Sequence, residues 1–188
     1  MGRHKSEDKR NAILAAATRV IASQGLNATT AIIAQEAGVS NGSLFTYFET
    51  KADLYNVLYL EIKGELAAAA LKGLPAKADV RGQMFHVWKN WMEWAIAHPD
   101  QRKTLTQLNG YDELTAETKT AGHVTMAGIA HLLATARALG ALKDVPMEFA
   151  SSIMESLANS TMTFMVKEPE NADRHCRTGF ESFWRVVG

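Results

Sequence analysis

Small polar side chains are concentrated in the segment from Thr30 to Lys51. Hydroxyl and amide groups stand close together there, on Ser40, Asn41, Ser43 and Thr46. Such groups exchange hydrogen bonds with base edges and phosphate oxygens. The chain has no Glu-x-x-His pair, no glycine-rich phosphate loop and no nucleophile motif. These residue types therefore favour recognition of a nucleic acid over catalysis.

Two short helices are expected to position these side chains. The first follows Thr29 or Thr30 and ends at Gly38, and the second runs from Ser40 to about Phe48. Gly38 can adopt the positive φ that ends a helix, and Ser40 can cap the helix after it. This arrangement predicts a helix-turn-helix, whose second helix enters the DNA major groove. An ordinary helical hairpin in an all-α core is the alternative.

The sequence of this segment is specific. Residues 30–48 are TAIIAQEAGVSNGSLFTYF, followed by Lys51 and Leu54. They resemble the tetracycline-repressor (TetR) family, whose pattern is roughly T-x-x-I-A-x-x-A-G-V-S-x-G-x-L-Y-x-Y/H-F-x-x-K-x-x-L. The resemblance covers roughly residues 9–66. Beyond it, only the number and order of the helices match.

The resemblance implies a role for each matching position. Thr30, Tyr47 and Lys51 occupy positions where the family contacts DNA phosphates. A second set lies on the face of the recognition helix that the family presents to the groove: Ser40, Asn41, Gly42, Ser43 and Thr46. A third set holds the unit together by packing: Ile33, Ala37, Val39, Leu44, Phe48 and Leu54.

Two departures from the family pattern concern DNA contacts. Phe45 replaces the usual tyrosine and lacks its hydroxyl, and Ala31 stands where some members carry an arginine that contacts bases. No Lys or Arg occurs between Ser40 and Phe48, so this helix cannot make the bidentate contact to guanine. Base recognition would fall to Asn41, Ser43 and Thr46.

A basic N-terminal segment could compensate. Four basic residues cluster there: Arg3, Lys5, Lys9 and Arg10. In a flexible arm they could enter a minor groove. The alternative is a solvated tail. The first helix would then follow a cap at Ser6 and end at Gly25.

Helical periodicity dominates the whole chain and strand alternation is almost absent. The predicted fold class is all-α, with about nine helices. A three-helix DNA-binding domain is expected over residues 1–50, and an effector-binding and dimerisation domain over residues 51–188. A helix over 51–72 would connect them. Later helices are expected to stop before Pro99 and near Leu108, to run from Asp112 to Leu139, from Pro146 to Val166, and onward from Pro169.

The second domain is rich in aromatic and methionine side chains, which suit either a core or a cavity for a hydrophobic effector. TetR-like proteins generally hold an inducer here, which favours the cavity. The candidate lining residues are Met84, Trp88, Trp91, Met92, Tyr111, Met126, Ile129, Met154 and Phe164. The last two helices would pair with those of a second copy, as in the family. The candidate interface residues are Ala150, Leu157, Ala158, Gly179, Phe180, Phe183 and Trp184.

Length and charge limit the remaining possibilities. The 188 residues carry 20 Lys and Arg against 20 Asp and Glu, so bulk positive charge cannot attract DNA. Residues 1–51 hold six basic and four acidic residues, a net charge of +2, which leaves −2 for the rest. A mildly basic head predicts few phosphate contacts and a shallow salt dependence.

No metal, cofactor or membrane partner is expected. The histidines lack the i, i+4 pairing of a helical metal site, and Cys176 is the single cysteine. No apolar run is long enough to span a membrane, and the charged N-terminus is unlike a signal peptide, which predicts a cytoplasmic protein.

These observations together predict a homodimeric regulator, not an enzyme. It would bind a palindromic operator in double-stranded DNA, and a small hydrophobic effector would release it as a repressor. An all-α enzyme and a helical adaptor that binds only protein are the alternatives.

Overall fold

The computed structural model describes the backbone of residues 2–138 and 140–188 and the side chains of residues 6–138 and 140–188. This part of the chain forms ten α-helices and one short 3₁₀ turn, with no strand. The helices are α1 (Gly2–Gln24), α2 (Thr30–Glu36), α3 (Asn41–Phe45), α4 (Lys51–Leu71), α5 (Val80–Ala97), α6 (Pro99–Asn109), α7 (Ala116–Thr125), α8 (Ala127–Arg137), α9 (Met147–Lys167) and α10 (Ala172–Val187), with the 3₁₀ turn at Pro169–Asn171. The predicted all-α class is confirmed.

The predicted helix from Asp112 to Leu139 is wrong in two respects. It begins only at Ala116, because Asn56 Oδ1 accepts from the Thr115 amide at 3.0 Å and holds the preceding residues in turns. It is also interrupted at Met126, between α7 and α8, which raises the number of helices from about nine to ten. Glycines at 122 and 128 flank this break and lower the helix propensity on both sides. The predicted end at Leu139 lies outside the described residues.

Two smaller boundaries also differ from prediction. α1 starts at Gly2 and not at a Ser6 cap, since no glycine or proline separates Arg3 from the apolar stripe that begins at Ile13. The second helix of the pair ends at Phe45 and not near Phe48. There the Thr46 amide bonds to the Ser43 carbonyl at 3.2 Å, so the last turn tightens to 3₁₀ geometry.

The chain divides into two compact units. The first contains the residues up to Gly64 together with His98–Val124, and the second contains Glu65–Ala97 and Thr125–Gly188. α4 runs from the first unit into the second. The predicted boundary at residue 50 separates domains by function and not by compactness, so it stays a prediction.

The first unit is built around α1. The apolar stripe of α1 is buried: Ile13, Leu14, Ala17, Val20 and Ile21. α6 packs along α1 and is fixed by two side chains that donate to α1 carbonyl oxygens. Thr104 Oγ1 donates to the Thr18 oxygen at 2.9 Å, and Gln107 Nε2 donates to the Ile21 oxygen at 3.0 Å. α1 is therefore supported by α6 as well as by α4, the helix that follows the predicted first domain.

The second unit is built around α5, α9 and α10. Trp88 on α5 is buried, stacks on Phe183 of α10 with ring centroids 5.6 Å apart, and donates from Nε1 to the Cys176 carbonyl oxygen at 3.1 Å. α9 and α10 pack closely against each other. Across the described residues, no helix combines the length and apolarity that crossing a bilayer requires.

Candidate nucleic-acid interface

The corner between α2 and α3 is formed by three local interactions. Thr29 caps α2, since its side chain accepts from the Ile32 amide. Gly38 then adopts φ +68°, and Ser40 Oγ accepts from the Ser43 amide at 3.1 Å to cap α3. A residue with positive φ between two capping residues turns the chain sharply, and the caps keep the first amides of each helix paired. The predicted helix-turn-helix geometry is confirmed, and α2 packs directly on α3.

The packing residues separate from the exposed ones as a helix-turn-helix requires. Ile33, Leu44, Phe48 and Leu54 are buried, whereas Ala37 and Val39 at the corner are half-buried. The other face of α3 is exposed or half-exposed, at Ser40, Asn41, Gly42, Ser43 and Thr46. The corner therefore holds an uncharged, polar helix face toward solvent.

Hydrogen bonds within α3 limit which of these side chains can contact a base. Thr46 Oγ1 donates to the Ser43 carbonyl at 2.6 Å, and Ser40 Oγ already accepts from an amide. Asn41 has no such bond in the described part of the chain, so its amide keeps its donors and acceptor. An asparagine amide can bind adenine through two hydrogen bonds. Asn41 is therefore the strongest candidate on this helix for specific recognition.

Sequence reasoning gave too little weight to the exposed apolar side chains of this surface. Phe45 on α3 is 42 % exposed and Ile32 on α2 is 36 % exposed. Phe45 lacks the hydroxyl of the family's tyrosine, yet its ring, left open to solvent, offers apolar contact to a thymine methyl group. The signal was present in the sequence, because Phe45 directly follows the buried Leu44 and must face away from it.

The predicted phosphate-contacting residues remain accessible. Thr30, Tyr47 and Lys51 are half-exposed. Lys51 opens α4 beside a reciprocal capping box in which the Asp53 amide donates to Thr50 Oγ1 at 3.0 Å and the Thr50 amide donates to Asp53 Oδ2 at 2.9 Å. The Lys51 ammonium lies 5.3 Å from the centroid of the Tyr55 ring. In this capping box Asp takes the place of the usual Glu or Gln.

The basic residues of α1 are only partly available for DNA. Arg10 pairs with Glu61 at 2.8 Å and lies 5.9 Å from the centroid of the Phe48 ring, and Arg19 pairs with Glu36 at 2.8 Å. Lys9 is exposed. The side chains of Arg3 and Lys5 lie outside the described residues, so the role proposed for the arm stays a prediction.

Two tyrosines beneath this surface have raised pKa values. Burial raises the pKa of Tyr55 to about 12, with a smaller contribution from Tyr111, and its hydroxyl donates to the Leu26 carbonyl at 3.2 Å. Burial and the nearby Glu113 carboxylate raise the pKa of Tyr111 to about 12 as well. The rings meet edge to face with centroids 5.3 Å apart. Both phenols are therefore neutral in the folded protein well above pH 10.

This pair predicts a loss of stability at high pH. Between pH 10 and 12 the unfolded chain loses the Tyr55 proton while the folded chain keeps it, so stability falls as pH rises through that window. Between pH 10 and 12 we expect the melting temperature of Tyr55→Phe to fall by less than that of the parent protein. Thermal unfolding followed by circular dichroism measures both slopes, and equal slopes would contradict the account.

The predicted effector-binding residues do not all lie in one place. Tyr111 belongs to the first unit and packs on Tyr55. In the second unit Trp91 and Met126 are half-buried, and Phe164 is 45 % exposed. The others are buried in that unit's core: Met84, Trp88, Met92, Ile129 and Met154. Their part in effector binding stays a prediction.

The predicted dimer-interface residues also fall into two groups. Ala150, Ala158, Phe180 and Phe183 are buried within the protomer, so they expose almost no surface to a second copy. Gly179 is used inside the chain, since a Cβ there would lie 2.0 Å from Thr161 Oγ1. Leu157, Gly179 and Trp184 are half-buried. Gly179 thus allows α10 to approach α9 of the same chain, and the part of these residues in a dimer interface stays a prediction.

The single cysteine, Cys176, is buried. Burial raises the pKa of the Cys176 thiol, with Asp173 and Glu93 adding to the shift. In the described ranges, no three His, Cys, Asp or Glu side chains converge as metal ligands would.

Comparison with known proteins agrees with this geometry. Residues 13–58 match the model of the bacterial regulatory proteins of the tetR family. A structure assigned to the tetR family of transcription regulators, from Shewanella sp. PV-4, is 27% identical over 94% of this chain and 96% of its own, with a TM-score of 0.82. A TetR family transcription regulator from Marinobacter aquaeolei VT8 is 22% identical over 98% of both chains, with a TM-score of 0.86.

A third structure was determined with a bound ligand. The TetR-like transcriptional regulator LfrR from Mycobacterium smegmatis, in complex with proflavine, is 18% identical over 96% of this chain and 98% of its own, with a TM-score of 0.69. At this identity the likeness shows the fold alone. The matched segment contains the whole helix-turn-helix, and the first two structures extend the likeness over nearly the full chain. Over residues 13–58 the chain is similar to the tetR family of bacterial regulatory proteins, and its fold over nearly the full length is that of solved TetR family regulators.

Proposed function

We propose that this protein is a ligand-responsive repressor that binds a palindromic operator in double-stranded DNA as a homodimer. The observation that carries the proposal is the polar face of α3, which the Gly38 corner holds toward solvent with the Asn41 amide unoccupied by other bonds in the described chain. Because the proposed partner is DNA, the protein would act in the cytoplasm. A structural relative that was solved with proflavine supports a small effector with an apolar body.

Binding to DNA upstream of the protein's own gene tests this proposal. Fluorescence anisotropy with that DNA, compared with scrambled DNA of equal length, should show a preference for the native sequence. Hydrophobic small molecules added to the complex should release the DNA. Absence of any retention at low salt would contradict both the proposed activity and the proposed partner.

The Asn41 amide should carry much of the sequence preference. We expect Asn41→Ala to lose about 1 to 3 kcal/mol of specific binding while binding to scrambled DNA is unchanged, because a base contact discriminates and a phosphate contact does not. Gln35→Ala removes an exposed amide from α2 and is the matched control. Equal losses on specific and scrambled DNA in Asn41→Ala would exclude Asn41 as a base-contacting residue.

The exposed face of α9 is the dimer interface that the side-chain exposures support. Phe149 and Phe164 are 55 % and 45 % exposed, and helical geometry of about 100° per residue places them on one face. Ser156 and Ser160 lie between them on that face and are exposed. Small polar residues between two exposed rings allow a second helix to approach closely and bury both rings.

Dimerisation should therefore depend on Phe164. We expect Phe164→Glu to sediment as a monomer at micromolar concentration, because the pairing would bury an unpaired charge. Val166 is equally open, 55 % exposed, but it points to another side of α9, so Val166→Glu is the matched control and should remain dimeric. A dimeric Phe164→Glu variant would show that the interface lies elsewhere.

A further inference from the structure

The second unit carries a cleft that none of the sequence-predicted effector residues lines. It lies between the start of α5 and the middle of α10 and has a volume of about 420 Å³. Its floor is formed by the half-buried Phe85, whose ring rests edge to face on the buried Phe180 with centroids 4.9 Å apart. A cleft of this size holds a small organic molecule, and an aromatic floor favours a flat, apolar one.

Two guanidinium groups stand over this floor. Arg81 lies 5.8 Å from the centroid of the Phe180 ring, and Arg177 lies 5.8 Å from that of Phe85. A guanidinium at this distance from a ring is attracted by the ring face. The cleft thus combines an apolar floor with two guanidinium groups and the carboxylates of Asp79 and Glu181.

The carboxylates of the cleft are already engaged. Glu181 Oε1 accepts from Arg81 at 2.5 Å, and Asp79 Oδ1 accepts from the Gly82 amide at 2.8 Å at the start of α5. Among the side chains that the structure describes, Arg177 has no carboxylate within salt-bridge distance. Its five donors are arranged to hold a carboxylate through two parallel hydrogen bonds.

We propose that this cleft binds small aromatic carboxylates. Arg177 holds the carboxylate, Phe85 contacts the aromatic body, and Arg81, fixed by Glu181, closes the side. An inorganic anion would leave the phenyl floor uncovered, and a neutral arene would leave the Arg177 charge unpaired. The proposal does not depend on DNA binding, so the two can fail separately.

Calorimetric titration of the full-length protein with 2-naphthoate tests the proposal. We expect a dissociation constant on the order of 0.1 mM, and binding about tenfold or more weaker for the neutral 2-naphthamide and for the cationic 2-naphthylmethylammonium. Arg177→Gln should weaken naphthoate binding to a similar degree. Arg185→Gln makes the same charge change on an exposed residue of α10 outside the cleft and should leave binding unchanged.

Each other outcome would overturn the proposal. The first is that naphthoate does not bind at a concentration tenfold above the expected dissociation constant. The second is that the amide binds with equal affinity or the cation binds more tightly. The third is that Arg177→Gln and Arg185→Gln lose affinity equally. Arg177→Lys keeps the charge but not the paired donors, so its affinity should lie between those of the parent and Arg177→Gln. Circular dichroism establishes that each variant is folded.

Discussion

Gly179→Ala is expected to lower the stability of the second unit by about 2 to 3 kcal/mol. A Cβ at position 179 would lie 2.0 Å from Thr161 Oγ1, 2.9 Å from its Cγ2 and 3.0 Å from its Cβ. Thr161 is buried and donates to the Leu157 carbonyl at 2.8 Å, so it cannot simply turn away. α9 and α10 must therefore separate. Chemical denaturation followed by circular dichroism measures the loss.

Two further variants separate this clash from a general effect of alanine. Gly64→Ala also replaces a helical glycine, but its Cβ would meet nothing within 4 Å, so it should raise stability by about 0.5 to 1 kcal/mol. Thr161→Ala added to Gly179→Ala removes the two closest atoms and should restore part of the loss. A Gly179→Ala variant as stable as the parent would contradict the close packing of α9 on α10.

Gly42→Ala should weaken DNA binding by about tenfold while slightly stabilising the free protein. Gly42 is helical, exposed and free of neighbours, since a Cβ there would meet nothing within 4 Å. Neither packing nor backbone conformation in the free chain requires glycine at this position. Glycine also stands at this position in the family pattern, so we propose that a DNA backbone close to the start of α3 is what requires it.

Gly38→Ala is the contrasting control. It too has no neighbour within 4 Å, but its φ of +68° is strained for any residue with a side chain. Alanine there should lower stability by about 1 to 2 kcal/mol, opposite in sign to Gly42→Ala. Anisotropy titrations and thermal unfolding of the two variants give both quantities. A Gly42→Ala variant with unchanged DNA affinity would show that no phosphate or base approaches that position.

Local sequence signals were sufficient for the helix-turn-helix. The Ser40 cap, the positive φ of Gly38 and the Thr50–Asp53 box each involve residues within three positions of one another. Hydrogen bonds of this kind are encoded in the chain itself, whatever packs around it. Residues 13–58, which match the family model, contain all three of these features.

Contacts between distant residues could not be predicted in this way. The start of α7 depends on Asn56, 59 positions away from Thr115, and the small size of residue 179 is used by Thr161 within the same chain. A glycine or alanine on a helix predicts a close approach, but it does not say which helix approaches. This is why Gly179, assigned to a dimer interface from the sequence, is found against Thr161 of the same chain.

Charge pairing limited the prediction of the DNA-binding surface. Counting residues gives the head a net charge of +2. The structure shows that Arg10 and Arg19 are each paired with a glutamate. Fewer basic side chains remain to contact phosphates, which strengthens the expectation of a shallow salt dependence.

Selection of bound fragments from random double-stranded DNA tests the central claim most directly. At low salt the dimer should enrich a two-fold symmetric motif whose half-sites lie about one helical turn, roughly 34 Å, apart, and Asn41→Ala should lose that motif. Enrichment of no common sequence by the folded parent protein would contradict the claim that this protein is a sequence-specific DNA-binding regulator.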